Sequence, residues 1–138
     1  MVFMTLNVFT DGGAINNPGP AACAFVVYSD NKLLFKFSEK IGLATNNFAE
    51  YSALLKSLEW IKSNKGDKIT NVVVSSDSLL MVNQVNGLFK VKNPDIRSFI
   101  LRVRILEQEI GIPVVYKNIP REQNRLADAL VKETLFKN

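Results

Sequence analysis

The chain has 138 residues, with 17 Lys and Arg against 13 Asp and Glu, and its formal net charge of +4 suits a polyanionic partner. It contains no histidine and a single cysteine, Cys23, which excludes a Ser-His-Asp triad, an imidazole base, His-ligated metals, internal disulfides and multi-cysteine metal sites. Any catalysis must therefore come from carboxylates, hydroxyls, lysine, arginine, amides or a bound cofactor.

The first third of the chain is predicted to form an antiparallel meander. Residues 3–11 alternate between two faces, which predicts a strand that ends at Asp11 in a Gly-Gly turn. Two further strands are predicted over residues 21–29 and 33–40, each preceded by turn-forming residues. Short connections between consecutive strands favour antiparallel pairing.

The rest of the chain alternates between helices and strands. Apolar residues at spacings of three and four predict a helix over 48–61, with Thr45, Asn46 and Asn47 as N-cap candidates. The remaining predicted elements are a strand over 71–76, a short helix over 78–86, a helix from Asn93 to Gly111, a strand over 114–116 and a helix over 121–136. This order predicts an α/β fold in one domain over residues 1–138. Its five-stranded mixed sheet has the first three strands antiparallel and the fourth and fifth parallel, and helices flank it.

Nothing in the sequence indicates secretion or a membrane. The longest apolar runs are too short to span a bilayer, and residues 1–5 lack the positive charges of a signal peptide. One cysteine with apolar neighbours fits a reducing compartment. We therefore expect a cytoplasmic protein, with a monomer as the default for this size.

Two aspartates follow strands of the predicted sheet. Asp11 ends the first strand and Asp77 ends the fourth. If the crossover rule makes these strands parallel, both carboxylates lie at the carboxyl edge, where open α/β sheets bind ligands. Each also has an ordinary structural interpretation, because Asp-Gly favours turns and Asp77-Ser78 resembles a helix N-cap.

Two further acids lie on predicted helices. Glu50 falls on the border of the buried stripe, beside Leu54 and Ile61, so its side chain is expected to point toward the sheet. Asp128 lies early in the last helix. In both places the helix dipole alone would also favour an acid.

A cluster of such acids would require bound cations. Converging carboxylates repel one another, and their desolvation raises their pKa values. A ligand set of oxygens without His or Cys selects hard ions such as Mg²⁺ or Mn²⁺, and paired hard ions serve phosphoryl chemistry. The composition permits such a site and does not establish it.

Four segments in register resemble ribonuclease H type 1 over nearly the whole chain. They are FTDGG at 9–13 with NPGP at 17–20, TNNFAE at 45–50, VSSDS at 74–78 and PREQNRLAD at 120–128. The resemblance implies the ribonuclease H-like fold and internal hydrolysis of the RNA strand of an RNA/DNA hybrid. The implied products carry 5′-phosphate and 3′-hydroxyl ends, and no covalent intermediate forms. It also implies two Mg²⁺ or Mn²⁺ ions, one held by Asp11, Glu50 and Asp77 and the other by Asp11 and Asp128, which are the catalytic acids.

The resemblance further implies substrate-binding residues around the acids. Gly12 and Gly13 would let the backbone approach the 2′-hydroxyl, which separates RNA from DNA. Short polar side chains would contact groove edges and phosphates while also acting as turn or cap residues: Asn17, Thr45, Asn46 and Asn47. Basic residues would follow the phosphates of the DNA strand, although a solvated face is the ordinary fate of a lysine: Lys90, Lys92 and Arg97. Phe89 could stack on that strand, but the core is its expected place.

The sequence departs from the better-known bacterial form toward the archaeal-type branch. Gly87 leads almost directly to the Pro94 helix, which leaves no room for the basic helical protrusion of that form. The loop histidine that assists product release is absent, and the resemblance nominates Arg121 as the catalytic residue in its place. Its role would be electrostatic, because arginine cannot act as a base. Leu79 stands where relatives often carry a polar groove-reading residue, which disfavours base-edge contacts there.

Three alternatives compete with an active hybrid nuclease. A catalytically weak ribonuclease H-like nucleic-acid-binding module would gain nothing from four repelling acids. A proofreading-type exonuclease would carry Asp-x-Glu on the first strand, where this chain has Asp11-Gly12-Gly13. A non-enzymatic interaction domain requires the four-segment match to be accidental.

Overall fold

A computed structural model describes residues 3–137 as a mixed sheet with helices on both faces. In chain order the elements are β1 (Met4–Ala14), β2 (Gly19–Ser29), β3 (Lys32–Ala44), α1 (Asn46–Asn64), β4 (Ile69–Ser76), α2 (Leu79–Val85), α3 (Pro94–Ile110), β5 (Val114–Asn118), a 3₁₀ turn (Arg121–Gln123) and α4 (Arg125–Leu135). The strand order is β3-β2-β1-β4-β5. Strands β1 to β3 pair antiparallel, whereas β4 pairs parallel with both β1 and β5. The predicted α/β fold and its mixed sheet are confirmed.

Residues 1–2 and 138 lie outside the described residues. The prediction that the chain starts without a signal peptide falls partly on these N-terminal residues. Within residues 3–137, no helix is long and apolar enough to cross a membrane.

The main core lies between one face of the sheet and helices α1 and α3. Alternate residues of β1 and β4 point into it, among them Val8 and Val74. They pack with buried residues of the two helices, such as Leu54, Leu58 and Val103. Removal of these apolar side chains from water holds α1 against the sheet, and α1 carries one of the predicted catalytic acids.

Helix α4 covers part of the opposite face. Ala22 and Ala24 of β2 pack against Val131 of α4 in a second, smaller core. Their small side chains let the helix lie close to the sheet. The start of α4 is thereby held near the carboxyl end of β1.

Strand β1 is longer than predicted. The expected turn at Asp11-Gly12-Gly13 is wrong, because Gly12 pairs with Cys23 and Gly13 with Ala22 in the β1–β2 ladder. The chain reverses only after Ala14. Pairing with β2 carries β1 past Asp11, so Asp11 lies within a strand and not in a turn.

Two further predictions are corrected. The last helix does not run from residue 121, because Asn124 has φ −117° and ψ 36° and separates a 3₁₀ turn from α4. Phe89 is 49% exposed and does not lie in the core. The expected lack of a protrusion is confirmed, since residues 86–93 join α2 to α3 without forming a helix.

Candidate active site

Three carboxylates meet at the carboxyl edge of the sheet. Asp11 of β1, Glu50 of α1 and Asp77, directly after β4, each offer an oxygen within 4.8 Å of the other two. The parallel pairing of β1 with β4 ends at Thr10 and Ser76. Asp11 and Asp77 are the residues that directly follow these two in the sequence. Asp11 is 7% exposed and Glu50 is 8% exposed. The structure therefore brings together three acids that are far apart in the sequence.

Asp77 is free to join this cluster because its neighbour caps the following helix. The hydroxyl of Ser78 accepts the Met81 N–H at 3.2 Å and is the N-cap of α2. The N-cap that Asp77-Ser78 suggested is confirmed, with Ser78 and not Asp77 as the capping residue. One oxygen of Asp77 instead lies 3.5 Å from Nε of Arg121, whose side chain is 77% exposed.

Glu50 reaches the cluster because α1 lies directly on β1. A Cβ on Gly12 would stand 2.3 Å from the carbonyl carbon of Ala49 and 2.6 Å from the Glu50 nitrogen. Both distances are too short for a Cβ atom beside backbone atoms. Gly12 is therefore required by helix packing, a reason that the sequence did not reveal. Its predicted contact with substrate remains a prediction. A Cβ on Gly13 would meet only ordinary contacts, the nearest at 3.8 Å.

The predicted polar loop residues tie the start of α1 to the β1–β2 connection. Thr45 is the N-cap of α1 and accepts the Phe48 N–H at 3.1 Å. The side-chain oxygen of Asn17 accepts the Asn46 N–H at 2.8 Å, and that of Asn46 accepts the Ala14 N–H at 2.7 Å. Each amide oxygen thus accepts one bond within the fold, and the amide nitrogens of these asparagines can donate to a ligand.

The cluster is electrostatically strained in the absence of cations. Burial, reinforced by repulsion from Asp77 and Asp128, raises the pKa of Asp11 from 3.8 to about 7. Burial and the charges of Asp11 and Asp77 raise the pKa of Glu50 well above its ordinary value. The Gly12 amide and the Arg121 guanidinium oppose both shifts and are too weak to cancel them.

The site fits a hard divalent cation. One carboxylate oxygen of Glu50, Oε1, is buried and has no hydrogen-bond partner within the described part of the chain. Buried polar atoms in native proteins almost always have a partner. A cation seated between these oxygens would supply that partner and relieve the repulsion, and the oxygen-only ligand set suits Mg²⁺ or a similar ion.

Asp128, the fourth predicted acid, lies at the edge of the cluster. It occupies the first turn of α4, close enough for its charge to raise the pKa of Asp11. It does not belong to the group of three, and its carboxylate pairs with Lys132 at 3.0 Å. The structure thus brings all four acids into one region. Asp128 is the one paired with a lysine side chain, that of Lys132.

Sequence reasoning missed Asn124, which lies beside this region. Its side chain is 1% exposed, and its Nδ2 donates to the Thr10 carbonyl at 2.9 Å. An Asn four residues before an acid at a helix start could have signalled an N-cap. Asn124 makes no side-chain cap bond, so that signal would have led to the wrong role.

The predicted basic residues are placed on the surface. Lys90, Lys92 and Arg97 are exposed on the segment that follows α2 and on the start of α3. Leu79 is 58% exposed at the start of α2, next to Asp77. Two residues after Asp77, the chain thus presents the apolar side chain of Leu79 and no polar group.

Comparison with known families and solved structures shows which proteins this chain is similar to. Residues 9–134 match the family model described as "Reverse transcriptase-like". The crystal structure of RNase H1 from Halobacterium salinarum superposes with a TM-score of 0.90 at 33% identity, covering 97% of this chain and 99% of that one. LC11-RNase H1, solved in complex with an RNA/DNA hybrid, superposes with a TM-score of 0.89 at 38% identity, over 96% of this chain and 97% of that one.

Two of the curated relatives are longer than this chain. Ribonuclease HI of Halobacterium salinarum is 36% identical over 132 residues, which are 94% of this chain and 64% of that protein. A bifunctional protein of Mycobacterium tuberculosis is 33% identical over 135 residues, 96% of this chain and 36% of its own length. The chain therefore spans about a third to two thirds of the length of these relatives.

Proposed function

Because this chain belongs to the ribonuclease H type 1 family, we propose that it is an endoribonuclease acting on the RNA strand of RNA/DNA hybrids. The single observation that carries the proposal is the group of three carboxylates within 4.8 Å, two of them buried. Such a group is costly without cations and useful for phosphoryl hydrolysis with them. The predicted products carry 5′-phosphate and 3′-hydroxyl ends.

The four acids are proposed to hold two Mg²⁺ or Mn²⁺ ions. Asp11, Glu50 and Asp77 would hold one ion, and Asp11 and Asp128 the other. When bound, such ions activate water and stabilise the leaving oxygen in phosphoryl hydrolysis. The protein's own contribution is to hold the carboxylates of Asp11, Glu50 and Asp77 close together before an ion or substrate binds.

The residues around the acids are proposed to hold the hybrid. Asn17 and Asn46 can present their amide nitrogens to the substrate, because their oxygens are already bonded within the fold. Gly12, Gly13, Thr45 and Asn47 line the same edge of the sheet and the start of α1 and complete the proposed RNA-binding surface. Exposed basic residues after α2 would contact phosphates of the DNA strand: Lys90 and Lys92.

Arg121 is proposed to have an electrostatic role in this reaction. Its guanidinium lies beside Asp77, and a guanidinium binds phosphate strongly but cannot accept a proton. It can therefore hold a phosphate or help to release the cleaved product.

Replacing Arg121 by Ala is expected to lower kcat about 10- to 100-fold, as is usual for groups adjoining a metal site, while the melting temperature changes little. The exposed side chain makes one long ion pair, which adds little to stability. Steady-state rates on a labelled hybrid, with thermal melting, measure both effects. Arg125→Ala is the matched control, because Arg125 is exposed and, among residues 3–137, its side chain bonds only the nearby Glu122 carbonyl. Equal rates for Arg121→Ala and the wild type would contradict the role of Arg121.

The function itself is tested with matched RNA/DNA, RNA/RNA and DNA/DNA duplexes. We expect cleavage of only the RNA strand of the hybrid, and only with Mg²⁺ or Mn²⁺. A chelator should stop the reaction, and added ion should restore it. Binding of the hybrid without cleavage would identify a catalytically weak binding module instead. Cleavage that persists in chelator would overturn the metal-dependent mechanism.

We further propose that residues 1–138 act as a single catalytic domain and as a monomer in the cytoplasm. The free, buried Cys23 supports a reducing compartment. Gel filtration with light scattering tests the oligomeric state.

A further inference from the structure

Two asparagines bond to the strand residues that directly precede the clustered aspartates. Nδ2 of Asn124 donates to the carbonyl of Thr10 at 2.9 Å, and Thr10 directly precedes Asp11. Nδ2 of Asn118 donates to the carbonyl of Ser76 at 3.1 Å, and Ser76 directly precedes Asp77. The two bonds are chemically alike, and each reaches the residue before a carboxylate.

The two asparagines differ in burial and in redundancy. Asn118 is exposed, and the Ile119 N–H donates to the same Ser76 carbonyl at 3.0 Å. Asn124 is 1% exposed, and its bond spans 114 residues of sequence. Loss of the Asn118 side chain therefore leaves its acceptor paired, whereas loss of the Asn124 side chain removes a buried connection.

Asn124 is also bonded to the neighbourhood of the fourth acid. Its carbonyl accepts the Asp128 N–H at 3.1 Å, and its own N–H donates to the Arg121 carbonyl at 2.9 Å. One residue thus joins β1, the turn that carries Arg121 and the first turn of α4.

The other half of the Asn124 amide is left without a partner. Its Oδ1 is buried and accepts no hydrogen bond within residues 3–137, which is unfavourable in a protein interior. The side chain makes no N-cap bond that would explain an asparagine at this position. The one bond that it does make, to Thr10, is therefore the feature that accounts for an amide here.

We propose that Asn124 is a positioning residue whose bond to Thr10 fixes Asp128 relative to Asp11 and so shapes the second divalent-ion site. The inference rests on the proposed function, because it assigns Asp128 to an ion. In this role Asn124 would act through Asp128, by holding it in place, and not by contact with the substrate or an ion.

The test compares Asn124→Ala with Asn118→Ala. We expect Asn124→Ala to weaken Mn²⁺ binding, measured by calorimetry, and to lower kcat, each about 10- to 100-fold, which is typical for groups that orient metal ligands. The KM for the hybrid should stay unchanged, because the substrate contacts are intact. Asn118→Ala should match the wild type in both measurements. Asn124→Leu fills the space of the amide and serves the same test if the alanine variant does not fold.

A double-mutant cycle separates positioning from general stability. If Asn124 acts through Asp128, then Asn124→Ala should reduce neither Mn²⁺ affinity nor kcat further once Asp128→Asn is present. A merely structural role would lower the melting temperature in both backgrounds and leave Mn²⁺ affinity unchanged. That result, or additive losses in the cycle, would overturn the inference.

The Mn²⁺ titration also distinguishes this inference from the proposed function. A wild-type protein that binds Mn²⁺ without cutting hybrids, and loses Mn²⁺ binding on Asn124→Ala, would contradict the function and support the positioning role. If the wild-type protein cuts hybrids and the Asn124→Ala variant equals it in kcat and Mn²⁺ affinity, the proposed function is supported and the positioning role is contradicted.

Discussion

Replacing Asp11 by Asn is expected to reduce hybrid cleavage by at least about 10³-fold, since metal ligation supplies several kcal/mol of transition-state stabilisation. Asp11 is the residue placed among the other acids, within reach of Glu50 and Asp77 and close enough to Asp128 to feel its charge. Initial rates on a labelled hybrid in saturating Mg²⁺ measure the loss. Asp67→Asn is the matched control, because Asp67 is an exposed acid in the turn before β4.

The same substitution should stabilise the metal-free protein at neutral pH. The pKa of Asp11 is 3.8 in its ordinary state and about 7 in the fold, so the native state binds more protons than the unfolded state between these values. The contribution of Asp11 to wild-type stability must then fall as pH rises from about 4 to about 7, and this loss is absent in the amide variant. We expect the free energy of unfolding of Asp11→Asn to exceed that of the wild type by about 1–3 kcal/mol at pH 8 in chelator.

Denaturant unfolding at several pH values checks this. The difference between the two proteins should grow from pH 4 to pH 7 and then level off. Added Mg²⁺ should stabilise the wild type and have less effect on the variant, because a ligand that binds the native state adds stability by mass action. Cleavage at the wild-type rate, or an Asp11→Asn variant that is less stable than the wild type at pH 8, would contradict the role given to this carboxylate.

Local patterns in the sequence were enough to predict the elements and their order. Alternation marked β1, spacing of three and four marked α1 and α3, and the Asn93-Pro94 start of α3 is the cap that the sequence indicated. The parallel pairing of β1 with β4 followed from the crossover rule, and it alone places Asp11 and Asp77 side by side. The sequence could therefore predict the carboxyl edge as the site.

Features set by contact between distant segments could not be predicted in this way. Asp-Gly-Gly is a strong local turn signal, yet pairing with Cys23 and Ala22 overrides it and extends β1. Asn124, at the break before α4, bonds to a carbonyl of β1 that lies 114 residues earlier in the chain. The exposure of Phe89 depends on how the segment after α2 lies on the core. None of these is visible in a window of neighbouring residues.

Replacing Gly12 by Ala is expected to destabilise the fold by about 3–5 kcal/mol, above the usual cost of overpacking because the added atom meets helix backbone. The added Cβ would stand 2.3 Å from the carbonyl carbon of Ala49 and 2.4 Å from its oxygen. Both atoms belong to the backbone of α1, so relief requires the helix to move away from β1. That movement would carry Glu50 away from Asp11, and Mg²⁺ should then restore less stability than it restores to the wild type. Denaturant unfolding with and without Mg²⁺ measures both effects.

Gly13→Ala provides the control, because Gly13 is next to Gly12 in sequence and a Cβ there would make no such close contact. The nearest atoms to a Cβ at Gly13 are Cγ1 of Val131 at 3.8 Å and Oδ1 of Asn46 at 3.9 Å. The variant should match the wild type in stability or exceed it slightly, since alanine restricts the unfolded chain. If Gly13 lies against the RNA backbone as proposed, Gly13→Ala should raise the KM for the hybrid. Equal stability of the two alanine variants would mean that α1 does not depend on Gly12, and the approach of Glu50 to the cluster would need another cause.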